Sequence, residues 1–123
     1  MASPSKAKGN RFERELVNKA KEYGLDAKRA YASNGLSLGK TEDVDLLIED
    51  KSYQAKCRKV IGDLYKPGKN VFAQVFKEDR GEIFVMLRFD DYLQMLKSLN
   101  HYKDLREAQH RRNVDSLLTS NDW

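Results

Sequence analysis

Hydrophobic positions along this chain change period several times. Phe12, Leu16, Ala20 and Tyr23 recur at helical spacing within residues 11–23. That stripe predicts a first helix, with Asn10 as its N-cap and Gly24 as its stop. The period then falls to two, as Leu25, Ala27 and Arg29 alternate with polar neighbours and predict a strand over residues 25–31. Residues 32–40, rich in glycine and small hydroxyl or amide side chains, read as a loop with exposed donors. Next come an apolar run over residues 44–48, the tetrad Glu49-Asp50-Lys51-Ser52, and a second alternating run ending at Lys59. Two antiparallel strands joined by a tight turn are predicted there.

The second half of the chain is less regular. Residues 61–69 contain Gly62, Pro67 and Gly68 and read as a turn-rich loop. Over residues 70–79 the pairs Val71 with Val75 and Phe72 with Phe76 suit a helix, while their β-branched and aromatic character suits a strand. A short helix capped by Asn70 is expected. Residues 82–89, almost wholly apolar from Ile83 to Leu87, predict an interior strand covered on both faces. Asp90 then caps a helix reaching residue 99, and residues 101–112 are compatible with a weakly amphipathic helix before a polar tail ending in Trp123. The expected organisation is a flexible basic leader over residues 1–8, one working domain over 9–100, and a C-terminal helix and tail over 101–123. Helices alternating with strands in this order predict an α/β three-layer sandwich, one central mixed β-sheet flanked by helices.

Composition narrows what such a domain does. A chain of 123 residues forms one domain, and a net charge of +4 favours an anionic partner. The distribution says more than the total: Lys51, Lys56, Arg58, Lys59, Lys66 and Lys69 face the single acid Asp63 across residues 51–69. Such a concentration suits phosphates. The lone Cys57 excludes an internal disulfide and fits a reducing, cytoplasmic setting, where it reads as a small buried residue. No apolar stretch approaches the roughly 18 residues of a membrane span. His101 and His110 lie far in sequence from any acidic cluster and read as surface residues.

The polar residues of the hairpin carry the chemistry. Alternation puts Asp43, Asp45 and Leu47 on one face of the first strand and Gln54, Lys56 and Arg58 on one face of the second. A carboxylate, an amide oxygen and an ammonium can therefore converge. Glu13 falls beside the buried stripe of the first helix, although Asn10 and Glu13 also have the spacing of a capping box. Lys8-Gly9-Asn10-Arg11-Phe12-Glu13-Arg14-Glu15-Leu16-Val17, Asp45 and Gln54-Ala55-Lys56 together resemble the PD-(D/E)xK nuclease superfamily. The likeness is nearest to Holliday junction resolvases of the archaeal type, phage- or virus-encoded ones among them, and covers residues 8–99.

That resemblance implies a restriction-endonuclease-like fold and a metal-dependent endonuclease that cuts DNA four-way junctions. It implies Glu13, Asp45, Gln54 and Lys56 as the site, with Ser33 as a further contributor. Mg2+, with Mn2+ able to substitute, would be held by Glu13, Asp45, Gln54 and the Ala55 carbonyl. Lys56 would orient water or stabilise the phosphate, while Lys8, Arg11, Arg14, Arg29, Lys40, Arg58, Lys59, Lys66 and Lys69 would meet the DNA backbone. Two departures stand out: Val44 occupies a position that is proline in many members, and Gln54 one that is usually Glu or Asp. The alternatives are a restriction- or repair-type nuclease acting on duplex or DNA ends, or, if Gln54 abolishes metal binding, a non-catalytic module that binds DNA structures. Cutting both strands of a junction implies a homodimer, with Phe72, Phe76, Leu93 and Leu96 available either as contacts or as core.

Overall fold

The computed structural model describes residues 3–30 and 35–120. Helix α1 spans Pro4–Glu22, so most of the expected leader is helical. Ser3 is the N-cap, its Oγ accepting from the Lys6 N–H at 3.2 Å, and Pro4 follows in the first turn, where its missing N–H costs nothing. Asn10 is therefore an interior helical residue, and the capping box with Glu13 does not form. The helix ends as the sequence indicates. Gly24 takes φ 77°, its N–H donating to the Lys21 carbonyl at 2.9 Å and the Leu25 N–H to Ala20 at 3.1 Å. This is a Schellman stop, which favours a residue without a Cβ.

Strands β1 (Ala27–Arg29), β2 (Leu46–Ile48) and β3 (Lys51–Tyr53) form one antiparallel sheet in that order. The β2–β3 turn places Glu49 and Asp50 at φ 51° and 64°, the twist that closes a two-residue hairpin. Glu49 is fastened to Asp26 twice: its N–H donates to the Asp26 carbonyl and its Oε1 accepts from the Asp26 N–H, both at 2.8 Å. Helix α1 packs on β1 and β2, and Val17, Ala20, Leu25, Ala27, Leu46, Ile48, Leu93 and Leu96 form the core. Leu93 and Leu96 are thus interior residues and unavailable as contacts between copies.

Residues 70–79, expected as a helix, instead contain β4 (Ala73–Lys77), which pairs antiparallel with β5 (Ile83–Leu87). The β-branched and aromatic residues prevail because β5 supplies a partner that local periodicity cannot register. All strand pairings among the described residues are antiparallel, in two sheets in place of one mixed sheet. The α/β class stands. β5 is not covered on both faces: Ile83, Phe84 and Val85 are 67, 61 and 60% exposed. Arg88 secures the base of this hairpin by donating to the carbonyls of Val71, Pro67 and Gly68 at 3.0–3.3 Å.

Helix α2 runs unbroken over Phe89–Ser120, so the boundary expected after residue 100 falls inside one helix. Its first turns bury Leu93 and Leu96, whereas His101, Tyr102, Leu105 and His110 are exposed. No described helix is long and apolar enough to cross a membrane. Trp123 lies outside the described residues.

Candidate active site

The backbone of Asp45 is held from both sides. Its carbonyl accepts from the Ala30 N–H at 2.8 Å and its N–H donates to the Tyr53 carbonyl at 2.9 Å. Leu46 is already the ladder partner of Tyr53, so two successive residues oppose one. This is the geometry of a β-bulge, a device that ends regular pairing and re-aims side chains. The Asp45 carboxylate accepts from the Ala55 N–H at 2.7 Å through Oδ2, tying the carboxylate to the segment that carries Gln54 and Lys56. Ladder pairing stops at Tyr53, yet alternation continues through 54–58, with Gln54, Lys56 and Arg58 exposed and Ala55 and Cys57 half-buried.

Glu13 is only 5% exposed. Its Oε1 accepts from Arg29 Nε at 3.3 Å and Nη2 at 3.2 Å, while Arg29 Nη2 also donates to Asn10 Oδ1 at 3.2 Å. A carboxylate this buried needs a partner, and the guanidinium supplies two converging donors. Arg29, expected among the cations facing DNA, is thus turned toward the protein. The pairing was legible in principle: an arginine alternating with Leu25 and Ala27 on the inward face of a strand requires a buried acid, and Glu13 beside the helix's apolar stripe is one. β1 continues from Arg29 into Ala30, whose N–H reaches Asp45, so Glu13 and Asp45 belong to the same end of the three-stranded sheet.

Gln54, Ala55 and Lys56 border a cleft of about 520 Å3 that also meets Phe12, Leu16, Leu46, Ile48, Met86 and Phe89. Glu13 and Asp45 do not line it. Asp43 sits on the approach to β2, its carboxyl held below the usual range by a hydrogen bond from the Thr41 hydroxyl and by its own backbone N–H. Ser33 lies outside the described residues. Gly35 opens a short 3-10 turn over Gly35–Leu38 and packs where a Cβ would come within 2.1 Å of the Thr41 carbonyl and 2.8 Å of Val44 Cβ, so this turn presses on the strand entry ahead of Asp45.

Of the other expected cations, Lys8 is half-buried, while Arg11, Arg14, Lys40, Arg58, Lys59, Lys66 and Lys69 are exposed. Lys66 has a loose contact with Asp63 at 3.7 Å. Two pairings lacked any sequence signal. The hydroxyls of Tyr53 and Tyr92 share a hydrogen bond between β3 and α2, and the ring of Tyr65 lies 5.4 Å from that of Phe76. Cys57 is a free, half-buried thiol.

Among the described residues no three His, Cys, Asp or Glu side chains cluster as a metal site. Glu13 and Asp45 supply two carboxylates, and Gln54 with the Ala55 carbonyl would bring the neutral donors. Brought together, such an all-oxygen set would suit a hard divalent cation that keeps several of its waters. In comparison with known families, the model of the archaeal Holliday junction resolvase family (Hjc) matches residues 4–117. No curated protein and no solved structure matches the chain.

Proposed function

This chain belongs to the archaeal Holliday junction resolvase family and is a junction-resolving nuclease, and from that premise we propose a Mg2+-dependent hydrolysis carried by Glu13, Asp45, Gln54 and Lys56. Nucleases of this family generally need a divalent metal. Here Glu13, Asp45, Gln54 and the Ala55 carbonyl would hold it, and bound there it would supply an activated water and charge stabilisation at the phosphate. The supporting observation is the hydrogen bond from the Ala55 N–H to Asp45, which fixes the central carboxylate against the Gln54–Lys56 segment. Lys56 is exposed and meets the phosphate oxygens as negative charge grows on them. Arg29 orients Glu13, and Arg58 and Lys59 hold the DNA backbone without reading bases. Such a reaction belongs in the cell interior, where DNA is.

The same proposal includes a symmetric homodimer, since one domain offers one site and a junction needs two related cuts. The outward face of β4–β5 supports it: Val75 and Val85 are register partners, and with Ile83 they are 64, 60 and 67% exposed. An apolar patch of this kind marks an interaction surface.

Cleavage of a four-way junction and of linear duplex, each with and without Mg2+, tests the assignment. Asp45→Asn and Lys56→Ala are expected to lose on the order of a hundredfold or more in rate while junction binding persists. Undiminished cleavage by either removes that residue from the site. Because Gln54 is a neutral ligand, Gln54→Glu is expected to lower the Mg2+ concentration for half-maximal cleavage and Gln54→Ala to raise it. Identical Mg2+ titrations for all three proteins would place Gln54 outside the metal's ligands.

A further inference from the structure

The cleft bordered by Gln54 and Lys56 extends beyond the groups used in the chemistry above, along the side chains of α1, β2 and β5. Its volume of about 520 Å3 lies in the range of small-ligand pockets, and its make-up is the usual one, apolar walls with a few polar groups at the lip. Leu46 and Ile48, both fully buried, form the floor. The half-buried rings of Phe12 and Phe89 stand in the walls. Gln54 and Lys56 edge one side, and Glu15 and Lys19 edge the other from α1. Lys19 makes an exposed contact with Asp90 at 3.5 Å, which is weak enough to be exchanged.

We propose that this cleft receives one unstacked nucleobase of the DNA substrate. The inference rests on the assignment of Lys56 to the reacting phosphate, because that contact brings an adjoining nucleotide to the mouth of the cleft. A base is a flat apolar body with a polar edge and an anionic phosphate on each side. The walls suit its faces, the Glu15 carboxylate suits its edge, and the ammonium groups of Lys56 and Lys19 suit its phosphates. Walls that accept any π-face make the pocket tolerant of base identity. A base inside continuous duplex must break its pair and both stacks to enter. At a branch point stacking is already interrupted, so extrusion costs least there. The cleft would thereby help the protein prefer branched DNA without reading sequence.

The test uses the full chain in EDTA, which keeps the DNA intact, and four-way junctions carrying aminopurine at the nucleotides flanking the crossover. Wild-type protein is expected to raise the emission of one such base on binding, as it leaves the stack. Ile61 lines the mouth and is 44% exposed, so Ile61→Trp fills the entrance with folding not at stake. This variant is expected to lose the emission change and bind the junction on the order of tenfold more weakly, with affinity for linear duplex unchanged. Phe12→Ala, checked for folding by its melting temperature, is expected to weaken the same signal. Wild-type protein that cleaves junctions with Mg2+ but leaves every probe stacked would overturn the pocket while sparing the nuclease assignment. Retention of both signal and affinity by Ile61→Trp would also overturn it. So would loss of self-association in that variant, since the cleft would then hold apolar side chains of a second copy.

Discussion

β2 and β5 have nearly interchangeable sequences, Leu-Leu-Ile against Ile-Phe-Val-Met-Leu, and each sits in a small antiparallel sheet. Their surroundings are opposite. All three residues of β2 are buried, Leu46 and Ile48 in the core with Val17 and Ala20 of α1, whereas Ile83, Phe84 and Val85 of β5 are each at least 60% exposed. The buried sheet carries Asp45 and, through Arg29, positions Glu13, as a constellation that must hold its geometry requires. The exposed sheet carries none of the assigned catalytic residues. Apolar strands within one chain thus divide into a set packed around the assigned site and a set left largely exposed.

Substitution in each set tests that division most severely. Leu93→Ala, at a fully buried position against the first sheet, is expected to cost about 2–5 kcal/mol at any protein concentration. Val85→Asp is expected to leave the stability of dilute protein nearly unchanged and to abolish self-association, read by sedimentation at micromolar concentration. A large loss of stability in the dilute Val85→Asp protein would show that β5 is core, and the contrast between the sheets would fail.

A smaller effect is expected where the loop bears on the entry to β2. Gly35 has no room for a Cβ against Thr41 and Val44, so Gly35→Ala must displace backbone. Overpacking of this kind costs about 1–3 kcal/mol. Because Val44 precedes Asp45, cleavage should fall by more than the loss of folded protein accounts for. Equal losses in cleavage and folded fraction would detach the loop from the site.

The contrast between the sheets also marks how far the sequence could be read. Around the buried sheet, local pattern and tertiary structure agree: Gly24 stops α1, Glu49-Asp50 turns the hairpin, and Glu13 and Arg29 both lie on inward faces. The second half was harder because Val71 with Val75 and Phe72 with Phe76 satisfy two periods at once. Only the distant partner β5 decides between them, through pairs such as Val75 with Val85. β5 departs from its expected burial because a continuous apolar run specifies a strand but not what covers it. At the N-terminus, the Ser3-Pro4 cap competed with the equally plausible Asn10, and the polar residues between them carry no apolar stripe to reveal a helix. The bulge at Asp45 has no local signature at all, since it exists only between two strands.

The smallest expected effect concerns a hydrogen bond between β3 and α2, the hydroxyl pair of Tyr53 and Tyr92. Burial, then the hydrogen bond and charge of Tyr92, push the Tyr53 phenol well above its ordinary value of 10.0. As the pH passes that value, the unfolded chain loses the Tyr53 proton while the folded chain keeps it. The unfolded state then binds fewer protons, so this contribution is fully present below pH 10.0 and declines as the pH rises toward the folded value. Tyr53→Phe removes the titrating group together with a hydrogen bond worth about 1 kcal/mol at neutral pH. The variant should therefore be slightly less stable than wild type near pH 7, with the gap closing above pH 10.0 in denaturant titrations. A gap that stays constant across that range would mean that Tyr53 titrates alike in the folded and unfolded chain.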